Sequence, residues 1–285
     1  MTVLITGARG QVGRAVLRRL HAVGLPVRAA SAHPADLTVP AGVETVELAL
    51  DRPQTLPAAL DGVRQVFLYP QPEGIEAFTG AARAAGVEHV VLLSSASVLG
   101  PDAETDPLAS HSLLVERALL AAGLPSTLLR PDAFASNALG WCHATVHHQP
   151  IQLAYPDAHI APIHPEDIAD VAVEALTGTT LRGRALALTG GQSLTFREQI
   201  AVLAEVLGRE IPVETITRAQ AEQQLGRFMP AAAAGSLLAL WEAATAGPAP
   251  IADTTRTLLA RPERTFRQWA TENATAFDAH RGASR

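Results

Sequence analysis

The segment from Val3 to Gly13, VLITGARGQVG, narrows the possible folds more than any other part of the chain. A short apolar run leads into glycines at positions 7, 10 and 13. Apolar residues then recur at helical spacing: Val12, Ala15, Val16, Leu20 and Val23. Glycines so spaced permit a tight turn, close backbone approach to a pyrophosphate, and close packing of the helix on the strand. The helix start offers unpaired N–H groups and positive potential to phosphates. Elsewhere such a triplet is an ordinary turn. Between a strand and a helix it predicts a dinucleotide site, with Gly7, Arg9, Gly10, Gln11, Val12 and Gly13 as its contacts.

The rhythm then continues. Strand-like runs at 26–30, 43–48, 66–69, 90–93 and 126–129 alternate with helical patterns at 56–60, 73–85 and 110–122. Such alternation implies βαβ units and a doubly wound parallel sheet, an α/β fold of Rossmann type. Ligands of these sheets sit at the carboxyl ends of the strands. The positions to watch are therefore Ser31 and His33, Asp51, Tyr69-Pro70-Gln71, Ser94, Ser95 and Ser97, and Pro131. After about residue 135 the pattern breaks. Helices are expected from 165, over 195–207 and 219–245, and in the closing TFRQWATENATAF; EIPVETI reads as a strand. This predicts a dinucleotide-binding domain over 1–155, with 160–178 packing back on it. A smaller, mostly helical substrate lobe follows over 179–285, its last residues loose.

Composition removes several alternatives. The formal charge of −6 argues against a nucleic-acid footprint, which needs clustered basic residues. No apolar run reaches the ~18 residues of a membrane helix, and the first residues do not read as a secretory signal. Cys142 is the only cysteine, so no intrachain disulfide forms. A cytoplasmic protein, acting as a monomer on a small molecule, is expected. The chain has no lysine, so any mechanism that needs a lysine ammonium is excluded.

An NAD site usually carries Asp or Glu at the end of the second strand, to bond the ribose 2′-OH. Ser31, Ala32 and His33 stand there instead. With Arg9 inside the glycine loop, this favours NADP(H), with NAD(H) as the alternative.

Four segments, TGARGQVG, AARAAGVEHVVLLSSASVLG, ERALLAAGLPSTLLRPDAFASNAL and APIHPEDIADVA, together resemble the NmrA-like atypical short-chain dehydrogenases/reductases. That family includes reductases, isomerases and regulators that sense a cofactor without turnover. The resemblance extends to atypical ketoreductases of angucycline-type polyketide pathways. By that match Ser95 is the catalytic serine of the superfamily. Glu116 matches a glutamate four residues beyond the lysine of its Tyr-x-x-x-Lys helix, so Ser112 stands at the lysine position and Leu108 at the tyrosine. The usual acid and its helper are absent. Ala32 and Ala49 likewise stand where many members carry an arginine and an aspartate, leaving Asp51 for the adenine.

Proton donation by a side chain contributes ~10²–10⁴-fold to such reductions. Its loss is tolerable for a carbonyl already polarised by a neighbouring phenol. Ser95 is the candidate donor, or else a serine capping its turn. His111 is a candidate relay, or else a helix-surface histidine. His164 faces the site or holds its own turn. Ser97, Phe134, Trp141, Met229 and Trp241 either line an apolar substrate pocket or belong to the core. His143, His147 and His148 lack an acidic partner at ligand spacing, so no metal is expected. The chain is thus expected to be an NADPH-dependent reductase of a ketone or quinone-like group on a bulky aromatic polyketide. The alternatives are a catalytically silent NADP-sensing regulator and, third, an isomerase or dehydratase that retains its cofactor.

Overall fold

The computed structural model describes residues 2–278; the loose end expected from the sequence lies outside them. The chain divides into two compact units. The first gathers the residues up to Thr105, Ala109–Pro131 and Pro165–Leu188; the second gathers Asp106–Leu108, Asp132–His164 and the chain from Thr189.

The first unit is a seven-stranded sheet: β1 (Thr2–Ile5), β2 (Val27–Ser31), β3 (Glu44–Glu47), β4 (Val63–Leu68), β5 (His89–Leu93), β6 (Ser126–Pro131) and β7 (Ala185–Leu188). The order is β3-β2-β1-β4-β5-β6-β7, and every pair is parallel. The central strands are apolar on both faces because helices cover both. Five of them are α1 (Gln11–Ala22), α2 (Leu56–Leu60), α3 (Ile75–Ala84), α4 (Ser110–Ala121) and α5 (Pro165–Thr177). On one face Leu4, Leu68 and Leu92 pack with Phe78 of α3 and Leu119 of α4. Successive strand residues point oppositely, so Val3, Ile5, Phe67 and Val91 are buried on the other face. There α1 and α5 lie together, with Arg19 of α1 bridging Glu166 (2.6 Å) and Asp170 (2.5 Å) of α5.

The second unit has helices Cys142–Val146, Phe196–Leu207, Arg218–Leu225, Ala231–Ala243, Thr254–Leu259 and Phe266–Glu272, with two small two-stranded sheets. Three of these helices open on capping boxes: Thr195 with Glu198, Thr217 with Gln220, and Thr265 with Gln268. Phe196, Leu203, Phe266, Trp269 and Phe277 form its core.

Three features differ from the sequence expectation. The division falls at residue 131 rather than 155, and Ala185–Leu188, expected in the lobe, is the seventh strand of the sheet. That four-residue, alanine-rich run carries little strand signal of its own; its ladder with β6 decides it. The single helix expected over 219–245 is two, because Gly226 ends the first and Pro230 precedes the second.

Candidate cofactor and catalytic site

Strand order reverses between β1 and β4, and the glycine loop leaves the carboxyl end of β1 at that point. A Cβ on Gly13 would lie 2.4 Å from the Gly7 carbonyl oxygen, so only glycine lets α1 approach so closely. Gly7 has φ +62°, and a Cβ there would meet the Tyr69 Cβ at 3.0 Å. The Gly10 N–H closes the turn on Gly7 O at 2.9 Å. Gly10 is the N-cap of α1; no side chain caps it, and the first turn carries no acid. The N–H groups of Gln11, Val12 and Gly13 therefore remain available to an anion, and the cradle fits a dinucleotide pyrophosphate.

At the end of β2, the Arg9 guanidinium donates to His33 O at 3.1 Å and pairs with Asp36 at 2.9 Å. The His33 N–H donates to Ser31 Oγ at 3.1 Å. Sequence reasoning missed two groups here. Asp36, in the short turn after β2, restrains Arg9. Arg52, ion-paired with Glu47, donates to Ala32 O at 3.3 Å. A second cation thus stands in space beside the residue that replaces the family's arginine. The loop before Arg52 is folded by Thr55, whose hydroxyl engages residues 49 and 52, and Asp51 beside it is exposed.

At the end of β4, Thr6 Oγ1 accepts from the Tyr69 N–H at 2.7 Å and donates to Phe67 O at 3.2 Å. This pins Tyr69 beside Gly7, with its ring exposed; Pro70 and Gln71 follow. At the end of β5, Ser94 Oγ donates to Glu116 Oε1 at 2.5 Å. Arg130 Nε and Nη2 donate to Glu116 Oε1 and Oε2 at 3.0 and 2.6 Å. A buried serine–glutamate–arginine network therefore lies behind Ser95 and holds Ser94, while Pro131 ends β6. Ser95 caps the turn after β5: its Oγ accepts from the Ser97 N–H at 3.2 Å and lies 2.8 Å from Ser97 Oγ. On α4, His111 is exposed, and Ser112, at the lysine position, is buried. Leu108, at the tyrosine position, follows Asp106 in a short turn.

Within the second unit, Phe196 meets Trp141 and Trp241 edge-on, at 6.1 and 5.1 Å between ring centroids. Phe134 bridges to Ile163, and Met229 is half-buried. His164 is buried, with Nε2 3.1 Å from Glu272. His143 and His147 stack, and Arg209 lies 3.4 Å from His148 Nδ1. Among the described residues no three His, Cys, Asp or Glu side chains cluster to hold a metal, and no helix is long and apolar enough to cross a membrane. Asp132 follows β6 directly. Burial pushes its carboxyl above the usual range, opposed by a hydrogen bond from the Ala133 backbone.

A family model described as NAD(P)H-binding matches residues 7–179, more than half of the chain. The chain belongs to this NAD(P)H-binding family. It is 40% identical to the (4-alkanoyl-5-oxo-2,5-dihydrofuran-3-yl)methyl phosphate reductase of Streptomyces griseus, over 96% of the chain and 99% of that relative. It is 33% identical to an NAD(P)H azoreductase of Xenophilus azovorans, over 97% and 99%. An NADPH-dependent quinone oxidoreductase of Escherichia coli, solved with NADPH, shares the fold, with a TM-score of 0.79 at 23% identity over 95% and 99% of the two chains. The protein is an NAD(P)H-dependent oxidoreductase.

Proposed function

We propose that the protein uses NADPH to reduce a ketone or quinone-like carbonyl on a bulky, aromatic, polyketide-type molecule. The observation that carries this reading is an intact glycine cradle in a unit whose β5 terminus offers Ser95 but no tyrosine–lysine pair. The bound nicotinamide supplies a hydride. Gln11, Val12 and Gly13 hold the pyrophosphate through their N–H groups. Arg9 and Arg52, with Ser31 and His33, take the ribose end, and the two cations favour a 2′-phosphate over a bare ribose. Asp51 serves the adenine; Tyr69, Pro70 and Gln71 border the nicotinamide ribose, and Ser94 and Pro131 its ring.

The Ser95 hydroxyl turns from Ser97 to the carbonyl oxygen as negative charge develops there. The proton comes from solvent through His111, whose exposure suits exchange, or from the substrate's own phenol. Ser97 is its further polar contact. Within the second unit Phe134, Trp141, His164, Met229 and Trp241 are the candidate substrate residues, and Phe196 meets the two indoles edge-on.

A second reading, reduction of an electron-poor C=C bond in a butenolide phosphate, is favoured by the 40% identity to the Streptomyces griseus reductase. One experiment separates them: NADPH oxidation by the purified protein with aromatic polyketide ketones, quinones and a butenolide phosphate. Turnover of the ketones or quinones supports the first reading, and turnover of the butenolide alone the second. Saturable cofactor binding without turnover of any acceptor would defeat both.

A further inference from the structure

We propose that His143 and His147 of the second unit form a binding site for a divalent transition-metal ion, Cu²⁺ by preference. The two lie four positions apart, the spacing that sets two imidazoles on one face of a helix and serves helical metal sites as a ligand pair. Cys142–Val146 is helical, and His147 is its C-cap. The rings come together, with centroids 4.3 Å apart and planes 22° from parallel. Both residues are exposed, so a hydrated ion reaches them directly.

The backbone already orients one of the rings. His147 Nδ1 lies 2.8 Å from the His143 carbonyl oxygen. That oxygen can only accept, so Nδ1 carries the proton and the neutral ring keeps its lone pair on Nε2. Metal-bound histidines are held in this way: the other ring nitrogen donates to a carbonyl or carboxylate, which fixes tautomer and direction. The His143 ring makes no hydrogen bond among the described residues, so its nitrogens remain available as ligands.

The ligand set selects the ion. Two neutral imidazoles suit Cu²⁺, Ni²⁺ and Zn²⁺, with Cu²⁺ bound most tightly, whereas Mg²⁺ and Ca²⁺ take oxygen ligands. The sequence alone, lacking an acid at ligand spacing, predicts no metal; an imidazole pair needs none. His148 does not join the pair. Its φ is +53°, and Arg209 Nη1 lies 3.4 Å from its Nδ1. Arg209 Nη2 is anchored on Thr145 O and Phe277 O at 2.7 and 3.0 Å, so the cation stays beside His148. With two protein ligands, the ion keeps water at its remaining positions.

Calorimetric titration of the full chain, free of any histidine tag, with copper(II) chloride tests this. Electron paramagnetic resonance of the bound Cu²⁺ should show splitting from two nitrogens. The chain has 10 histidines, so variants identify the pair. His143→Ala and His147→Ala should each weaken the tightest Cu²⁺ on the order of tenfold or more and leave splitting from one nitrogen. His148→Ala should change neither, and excess Mg²⁺ should not compete. Circular dichroism of each variant confirms the fold on which the comparison depends. A wild type that binds no Cu²⁺, unchanged affinity in either variant of the pair, a His148→Ala loss as large as theirs, or competition by Mg²⁺ would each overturn the proposal.

Discussion

Arg130 grips the Glu116 carboxylate with two parallel N–H donors, at 3.0 and 2.6 Å, and Glu116 is almost wholly buried. The pair ties α4 to β6, and through Ser94 it also ties the end of β5. Removing one partner of a buried pair strands the other charge and costs ~3–5 kcal/mol. Arg130→Met should therefore lower unfolding stability by about 3 kcal/mol, read by urea denaturation. Glu116→Gln, which strands no carboxylate, should lower it less.

Gly13→Ala introduces a Cβ where 2.4 Å separates it from the Gly7 carbonyl. The loop must move, and the N–H groups aimed at the pyrophosphate move with it. NAD(P)H affinity should fall on the order of tenfold or more, by fluorescence titration. Undiminished affinity would remove the cradle from the binding site.

Arg9 and Asp36 should act oppositely on cofactor choice. Arg9→Ala removes a charge-assisted contact and should weaken NADP(H) by about tenfold, with little effect on NAD(H). Asp36→Ala removes an acid that competes for Arg9 and should strengthen NADP(H). Parallel titrations with both cofactors read the ratio.

His89 is fully buried, with Nε2 2.9 Å from Thr127 Oγ1, and its pKa falls from 6.5 to about 4 through burial, aided by Arg182. Between those values the unfolded chain binds a proton that the folded chain refuses. Stability is therefore complete above about pH 6.5 and declines as pH falls toward 4, by at most roughly 3 kcal/mol. Denaturation across that window should show the slope, and His89→Gln should flatten it.

Asp132 carries the opposite sign. Burial raises its carboxyl, so the folded chain binds this proton more tightly than the unfolded chain does. Its charging opposes folding as pH rises above the ordinary aspartate range. Asp132→Asn should raise Tm at neutral pH and lose that advantage in acid, by thermal scans at both.

The sequence by itself determined the parallel sheet, the glycine cradle and the absence of a tyrosine–lysine pair. Each is a local matter. Strands buried on both faces are continuously apolar, a left-handed turn at Gly7 selects glycine, and a missing lysine needs no coordinates. Ser95 and His111 were legible with their alternatives. Tertiary structure shows Ser95 capping its own turn and His111 on the helix surface. Only tertiary structure decided the remainder. It set Asp36 on Arg9 and Arg52 beside Ala32, joined Ser94, Glu116 and Arg130, and placed Ala185–Leu188 in the sheet. These partners lie up to 57 positions apart, as Leu128 and Ala185 do across β6 and β7, and no periodicity links them. They meet because crossovers over the faces of the parallel sheet return distant segments to one place, where buried charge and open ladder edges must be satisfied.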